Sequence, residues 1–179
     1  MPQSDYGLTI VKDYPIKGIN FIDINGLLEK PSCFGRAIDR LCELALDALG
    51  QHLPPKTAVV SPESRGFLFG APAAYKLSLP FLAIRKKGKI PNNPYTFHIT
   101  NEYTSYDMEM DADLLAQYDH FIYIDDILAT GQTLSAVKQA LEAKGKKMIL
   151  ALHLTAVADL KPLRDNNPAL HNLPVLEVI

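Results

Sequence analysis

The chain has 179 residues, a net charge of −2, 47% apolar and 21% charged residues. That length fits one domain, residues 1–179, with a sizeable core, and the charge balance argues against a broad nucleic-acid-binding surface. The opening MPQSDYGLTIVKDYPIKG lacks a basic segment followed by an apolar core, and no apolar run approaches the ~20 residues of a membrane span, so neither a secretion signal nor a membrane segment is expected.

In chain order, Pro31 opens a helix at a position where its missing N–H costs nothing. Phe34, Ile38, Leu41, Ala45 and Leu49 follow at helical spacing, and Gly50 closes the segment. Cys33 and Cys42 lie nine residues apart on this helix, about 13 Å along its axis, too far for a disulfide. Both read as reduced core residues of a cytoplasmic protein. Thr57 to Ser61 is a strand, Gly66 to Leu77 a helix and Pro80 to Ile84 a strand, followed by the basic run RKKGK. Residues 88 to 107, rich in Pro, Asn, Thr and Tyr, predict an extended hairpin or a mobile flap, and long segments of this kind are often functional. Ala112 to Tyr118 predicts a short helix, Phe121 to Ile124 a strand and Thr133 to Lys144 a helix. Lys147 to Thr155 predicts a strand, Ala158 to Asp165 a short helix and Pro174 to Ile179 a last strand. Alternating strands and helices imply an α/β fold with a mainly parallel central sheet.

The most informative stretch is FIYIDDILATGQTL, Phe121 to Leu134. An apolar strand ends in two carboxylates, Asp125 and Asp126, and a small-residue turn opens the next helix. In open parallel sheets, ligands bind beyond the carboxyl ends of strands. The N–H groups of the turn Ala129, Thr130, Gly131, Gln132 and Thr133 sit at the positive end of a helix dipole, which makes an anion site. Carboxylates beside it suit sugar hydroxyls or a hydrated divalent cation rather than the phosphate itself. The ligand implied is a sugar phosphate. No GxxxxGK or GxGxxG precedes the turn, and spacing alone also fits a plain strand-to-helix turn capped by Asp and Thr.

IYIDDILATGQT resembles the signature of type I phosphoribosyltransferases, which bind phosphoribosyl pyrophosphate. VVSPESRGFLFGAPAAYKL, LAIRKKGKIP, NEYTSYDME and DYPIKGINFIDINGLLEKP resemble segments of the adenine phosphoribosyltransferase family, together covering residues 10 to 160. The resemblance implies the type I fold with a small N-terminal base-binding hood and a mobile flap. It also implies a homodimer, substrates adenine and phosphoribosyl pyrophosphate, and Mg²⁺ held through substrate and water with no direct protein ligand. Ser64, Arg65 and Lys89 match positions around the pyrophosphate. Glu102 matches a catalytic flap acid beside Arg65 and Lys89, and Tyr103 a flap residue that covers the site. Asp125 and Asp126 match the ribose-binding pair. Phe21 matches the aromatic that stacks on the base, flanked by the backbone of Asn20 and Ile22. Read without the resemblance, Lys89 belongs to a solvated charge run, while Glu102 also fits an exposed loop and Phe21 fits a core aromatic equally well.

Three positions depart from the family pattern. Ile22 stands where Arg is common, Thr104 follows Tyr103 where Gly is common, and Gln132 replaces the second Gly of the phosphate turn. Ile22 keeps a second reading open, a phosphoribosyltransferase for hypoxanthine, guanine or xanthine. A third reading is a regulator that senses phosphoribosyl pyrophosphate, for which the expected DNA-binding module and basic charge are lacking. His52, His98, His120, His153 and His171 show no metal-ligand spacing and are expected to be structural, with His98 placed in the flap.

Overall fold

The computed structural model describes residues 6–14, 17–18, 20–100 and 105–179. Two three-residue strands, β1 (Thr9–Val11) and β2 (Phe21–Asp23), pair antiparallel with Ile10 opposite Ile22. They form a small hood with α1 (Asn25–Leu28), which leads into α2 (Pro31–Leu49). The body continues with β3 (Thr57–Pro62), α3 (Arg65–Lys76), β4 (Phe81–Lys86), β5 (Pro94–Thr100) and β6 (Ser105–Asp111). Then come α4 (Ala112–Gln117), β7 (His120–Leu128), α5 (Gln132–Glu142), β8 (Lys147–Ala156), α6 (Lys161–Asp165) and β9 (Val175–Glu177).

Among the described residues, seven strands form one sheet in the order β5-β6-β4-β3-β7-β8-β9. From β4 to β9 the neighbours are parallel, while β5 and β6 add an antiparallel edge. This is the mainly parallel sheet that the alternating pattern predicts. Its two faces are legible in β7, because successive side chains leave a strand on opposite sides. Ile122 and Ile124 pack with Leu41 of α2, Phe69 of α3 and the hood residues Ile22 and Leu27. Phe121 and Tyr123 pack with Leu134, Val137 and Leu141 of α5 and with Met108 of β6. Leu27 and Leu41 are fully buried, so truncating either to Ala should cost about 2–5 kcal/mol.

Several boundaries differ from the sequence reading. β7 runs through both aspartates to Leu128, because its pairing with β8 continues at Asp125–His153, Ile127–Thr155 and Leu128–Ala156. The helix expected from Ala158 divides into a 3-10 turn, Ala158–Leu160, and α6, with Pro162 in the first turn of α6. Residues 88–107 contain a regular hairpin, with Phe97 opposite Met108. The flap positions Glu102, Tyr103 and Thr104 at its tip lie outside the described residues. Cys33 and Cys42 are buried, and burial pushes the Cys42 thiol up to about 11 against the pull of the Lys76 charge. No described helix is long and apolar enough to cross a membrane.

Candidate active site

β3 and β7 are adjacent parallel strands with Val60 opposite Tyr123, so the turns that follow them open side by side at the carboxyl edge of the sheet. The first turn delivers Arg65 as the first residue of α3, and the second delivers Gln132 as the first of α5. Gly66 permits this closeness, since a Cβ there would lie 2.9 Å from Asp125 Oδ1 and 2.9 Å from Pro62 Cδ.

Arg65 joins the hood to the sheet. Its Nη2 donates to the Ile22 carbonyl at 3.2 Å, its guanidinium lies 5.2 Å from the centre of the Phe21 ring, and its Nε forms an ion pair with Asp126 Oδ2. Neither atom of that ion pair makes a further hydrogen bond among the described residues. Asp126 has only 8% of its side chain exposed. Around this pair opens a cavity of about 510 Å³ whose wall takes Asn20, Phe21 and Ile22 from the hood, Arg65 and Asp126 from the sheet edge, and Ala129, Thr130, Gln132 and Thr133 from the turn. Phe21, Arg65, Asp126 and residues of the 129–133 turn, far apart along the chain, therefore border one space.

The turn is shaped by Gly131, at φ +81°, where a Cβ would also lie 2.8 Å from Leu170 Cδ1. Any side chain there meets both backbone strain and a filled contact. The amide oxygen of Gln132 is buried without a hydrogen-bond partner among the described residues.

The expected ribose pair divides. Asp126 shares the hood-facing side of β7 with Ile124, while Asp125 shares the other with Tyr123, whose hydroxyl donates to Asp125 Oδ2 at 2.8 Å. Asp125 stands outside the cavity wall. Ser64 and Lys89 also stand outside it. Ser64 precedes α3 without a side-chain capping bond. Lys89 Nζ donates to Glu63 Oε1 at 2.9 Å, and Arg85 Nε donates to Glu63 Oε2 at 2.9 Å. His98 is engaged within the hairpin, at 2.8 Å from Asp107 through Nδ1 and 2.5 Å from Ser105 through Nε2.

The phosphoribosyl transferase domain family matches residues 34–168. The adenine phosphoribosyltransferase of Carboxydothermus hydrogenoformans is 38% identical over 156 residues, covering 86% of this chain and 88% of that protein.

The chain belongs to the adenine phosphoribosyltransferase family.

Solved structures of the family agree. The adenine phosphoribosyltransferase of Thermoanaerobacter pseudethanolicus superposes with a TM-score of 0.80 at 30% identity, covering 98% of this chain and 96% of that one. That of Saccharomyces cerevisiae, complexed with D-2,5-dideoxy-2,5-imino-altritol 1,6-bisphosphate and adenine, gives 0.82 at 27% identity, covering 98% and 96%. Against this family background, the electrostatics of the site residues have clear causes. Burial raises the Asp125 pKa well above the usual carboxylate range and the Asp126 charge adds to it, together outweighing the hydrogen bonds from Tyr123 and the Asp126 N–H. Glu63 moves the other way. Burial would raise it, but hydrogen bonds from Lys89, Arg85 and the Lys86 N–H bring it down to about 2.

Sequence reasoning missed two features of this phosphoribosyltransferase site. Val157, Asp159 and Leu160, after β8, complete the cavity wall; the one signal for them was their place beyond the carboxyl end of a neighbouring strand. Arg164 of α6 donates to the Ala129 carbonyl of the 129–133 turn, and no local motif marks it.

Proposed function

We propose that this protein transfers the phosphoribosyl group of phosphoribosyl pyrophosphate to adenine, forming AMP and pyrophosphate in purine salvage. The observation that carries the reading is the single cavity in which the 129–133 turn, Asp126, Arg65 and Phe21 meet. The 5′-phosphate sits on the N–H groups of the turn, at the start of α5. Asp126 accepts from ribose hydroxyls, and Asp125 supports the end of the strand. Adenine stacks on Phe21 while the backbone of Asn20 and Ile22 reads its edge.

In the reaction the bond from C1′ to the pyrophosphate oxygen breaks, the bond from C1′ to adenine N9 forms, and the N9 proton departs. Positive charge develops at C1′ while negative charge grows on the leaving group. Arg65, Lys89 and Ser64 serve that leaving group, and Glu102 exchanges the proton with the ring. Closure of the flap with Tyr103 excludes water from an ion that hydrolyses readily.

Mg²⁺ fits as a substrate-borne ion. Asp126 puts a carboxylate in the cavity wall, where an ion carried by the substrate could be met. Asp126 would hold it through water, and the ion would neutralise pyrophosphate charge. The protein acts in the cytoplasm as a homodimer in this reading, with the exposed Leu68 and Tyr75 of α3 offering an apolar face.

The test is product formation by the purified protein with phosphoribosyl pyrophosphate and Mg²⁺, offered adenine, hypoxanthine, guanine and xanthine separately. AMP from adenine alone is expected. An oxopurine preference would transfer the base half of the assignment to the reading that Ile22 motivates, and no nucleotide from any base would defeat the enzymatic reading.

A further inference from the structure

The geometry points to Arg164 as the positioning residue of the phosphate turn, an assignment that rests on the sugar-phosphate reading of the cavity. Arg164 lies 35 residues beyond Ala129, on α6. Its Nη1 donates to the carbonyls of Ala129 and Val157 at 2.8 Å each, and approaches the Leu128 carbonyl at 3.5 Å. The Val157 N–H itself donates to Leu128 at 2.9 Å. One guanidinium thus ties the end of β7 and the end of β8 to the same point.

The consequence follows from peptide geometry. In a trans peptide the carbonyl and the next N–H point in opposite directions. The Glu63–Ser64 bond is the cis one among the described residues, so Ala129–Thr130 is trans. Holding the Ala129 carbonyl toward α6 turns the Thr130 N–H the opposite way. Ala129 and Thr130 are both in the cavity wall. Arg164 therefore aims a phosphate donor without touching the phosphate, and places a fixed positive charge behind the turn. Its stem also passes the turn closely, with Cγ 3.6 Å from where a Cβ on Gly131 would stand. Lysine should substitute only in part, because its ammonium also offers several donors on one nitrogen but sits on a shorter, more flexible stem without the planar guanidinium.

The experiment compares the unmodified protein with Arg164→Ala and Arg164→Lys. Ribose 5-phosphate binding is measured by calorimetry, and KM for each substrate and kcat by nucleotide formation, with and without millimolar guanidinium ion. Arg164→Ala should weaken ribose 5-phosphate binding and raise KM for phosphoribosyl pyrophosphate about thirtyfold, with KM for adenine within about twofold. Arg164→Lys should fall between, and guanidinium should restore the alanine variant in part. Unchanged ribose 5-phosphate affinity overturns the assignment. So does an equal loss for both substrates that tracks thermal stability and resists rescue. Should Arg164→Ala not fold, the lysine variant decides by the same split. If the unmodified protein binds ribose 5-phosphate but forms no nucleotide, the enzymatic reading fails alone and Arg164 stands or falls on binding. If it does not bind ribose 5-phosphate, the assignment is overturned.

Discussion

The turn at 128–133 and the cluster of Glu63, Arg85 and Lys89 are the two places where, in the proposed reading, this molecule meets an anion, and they are prepared in opposite ways. At the turn, the carbonyls of Leu128 and Ala129 have partners on the far side, and the α5 N-terminus opens toward the cavity. In the cluster, both cations already hold a carboxylate whose side chain is 9% exposed. The first region is preorganised with neutral donors, so little reorganisation opposes ligand binding. The second must exchange one set of charge-assisted bonds for another if Lys89 is to serve a leaving group as proposed. A substrate with a phosphate at one end and a diphosphate at the other would meet a finished site and an unfinished one.

The largest expected effect falls between the two regions. Asp126→Asn preserves volume but removes the charge facing Arg65 and, in the proposed reading, the ribose hydroxyls, and kcat/KM for phosphoribosyl pyrophosphate should fall about a hundredfold. Steady-state kinetics at saturating adenine would measure it, and unchanged values remove Asp126 from the site. Gly131→Ala attacks the preorganised region itself. Positive φ and the Leu170 contact should cost about 1–3 kcal/mol in denaturant unfolding and raise KM for phosphoribosyl pyrophosphate about tenfold. A silent Gly131→Ala would mean that the turn is not held as described.

Glu63→Gln tests the other region and should act in the opposite direction. Freed cations should lower KM for phosphoribosyl pyrophosphate about threefold. It should also alter acid stability. The Glu63 pKa is lowered from 4.5 to about 2, so its stabilisation is present above pH 4.5 and is lost as pH falls from there toward 2. The glutamine variant should lack that limb in unfolding curves taken across the range.

His153 supplies an internal reference with no expected effect on turnover. Burial, and then the Arg164 charge, lower its pKa from 6.5 to about 3. The unfolded chain therefore takes up a proton that the native state refuses, and stability is lost as pH falls below 6.5 toward 3, at about 1 kcal/mol per pH unit. His153→Phe should flatten that limb and leave the Glu63 limb in place. Two separable limbs would sharpen the contrast, while a single shared one would break it.

Much of this was legible in the sequence where one local pattern fixed both shape and chemistry. The apolar run at Phe121–Ile124, the turn and the α5 periodicity specify strand, anion site and helix together. The end of β7 was not legible, because pairing with β8 carries Asp125 to Leu128 in extended form where the apolar pattern has already stopped. The hood strands were missed because they are three residues each, the first wholly exposed and the second with Ile22 alone buried, too short to show alternation. RKKGK looked like a solvated run since nothing local shows that Glu63, 26 residues before Lys89, receives it. Arg164 was invisible for the same reason, acting on backbone carbonyls that carry no residue identity.

The adjacency of β3 and β7 has a kinetic consequence. Thr57 pairs with His120 and Val60 with Tyr123, so Arg65 and Asp126 meet only after a long loop has closed. Such distant pairings are entropically costly and form late relative to local helices. An intermediate holding α2 and α5 without this pairing would have native-like helix content and no active site. Recovery of nucleotide synthesis during refolding should therefore lag the recovery of helical circular dichroism, and enzymatic activity becomes a reporter of when the centre of the sheet has closed.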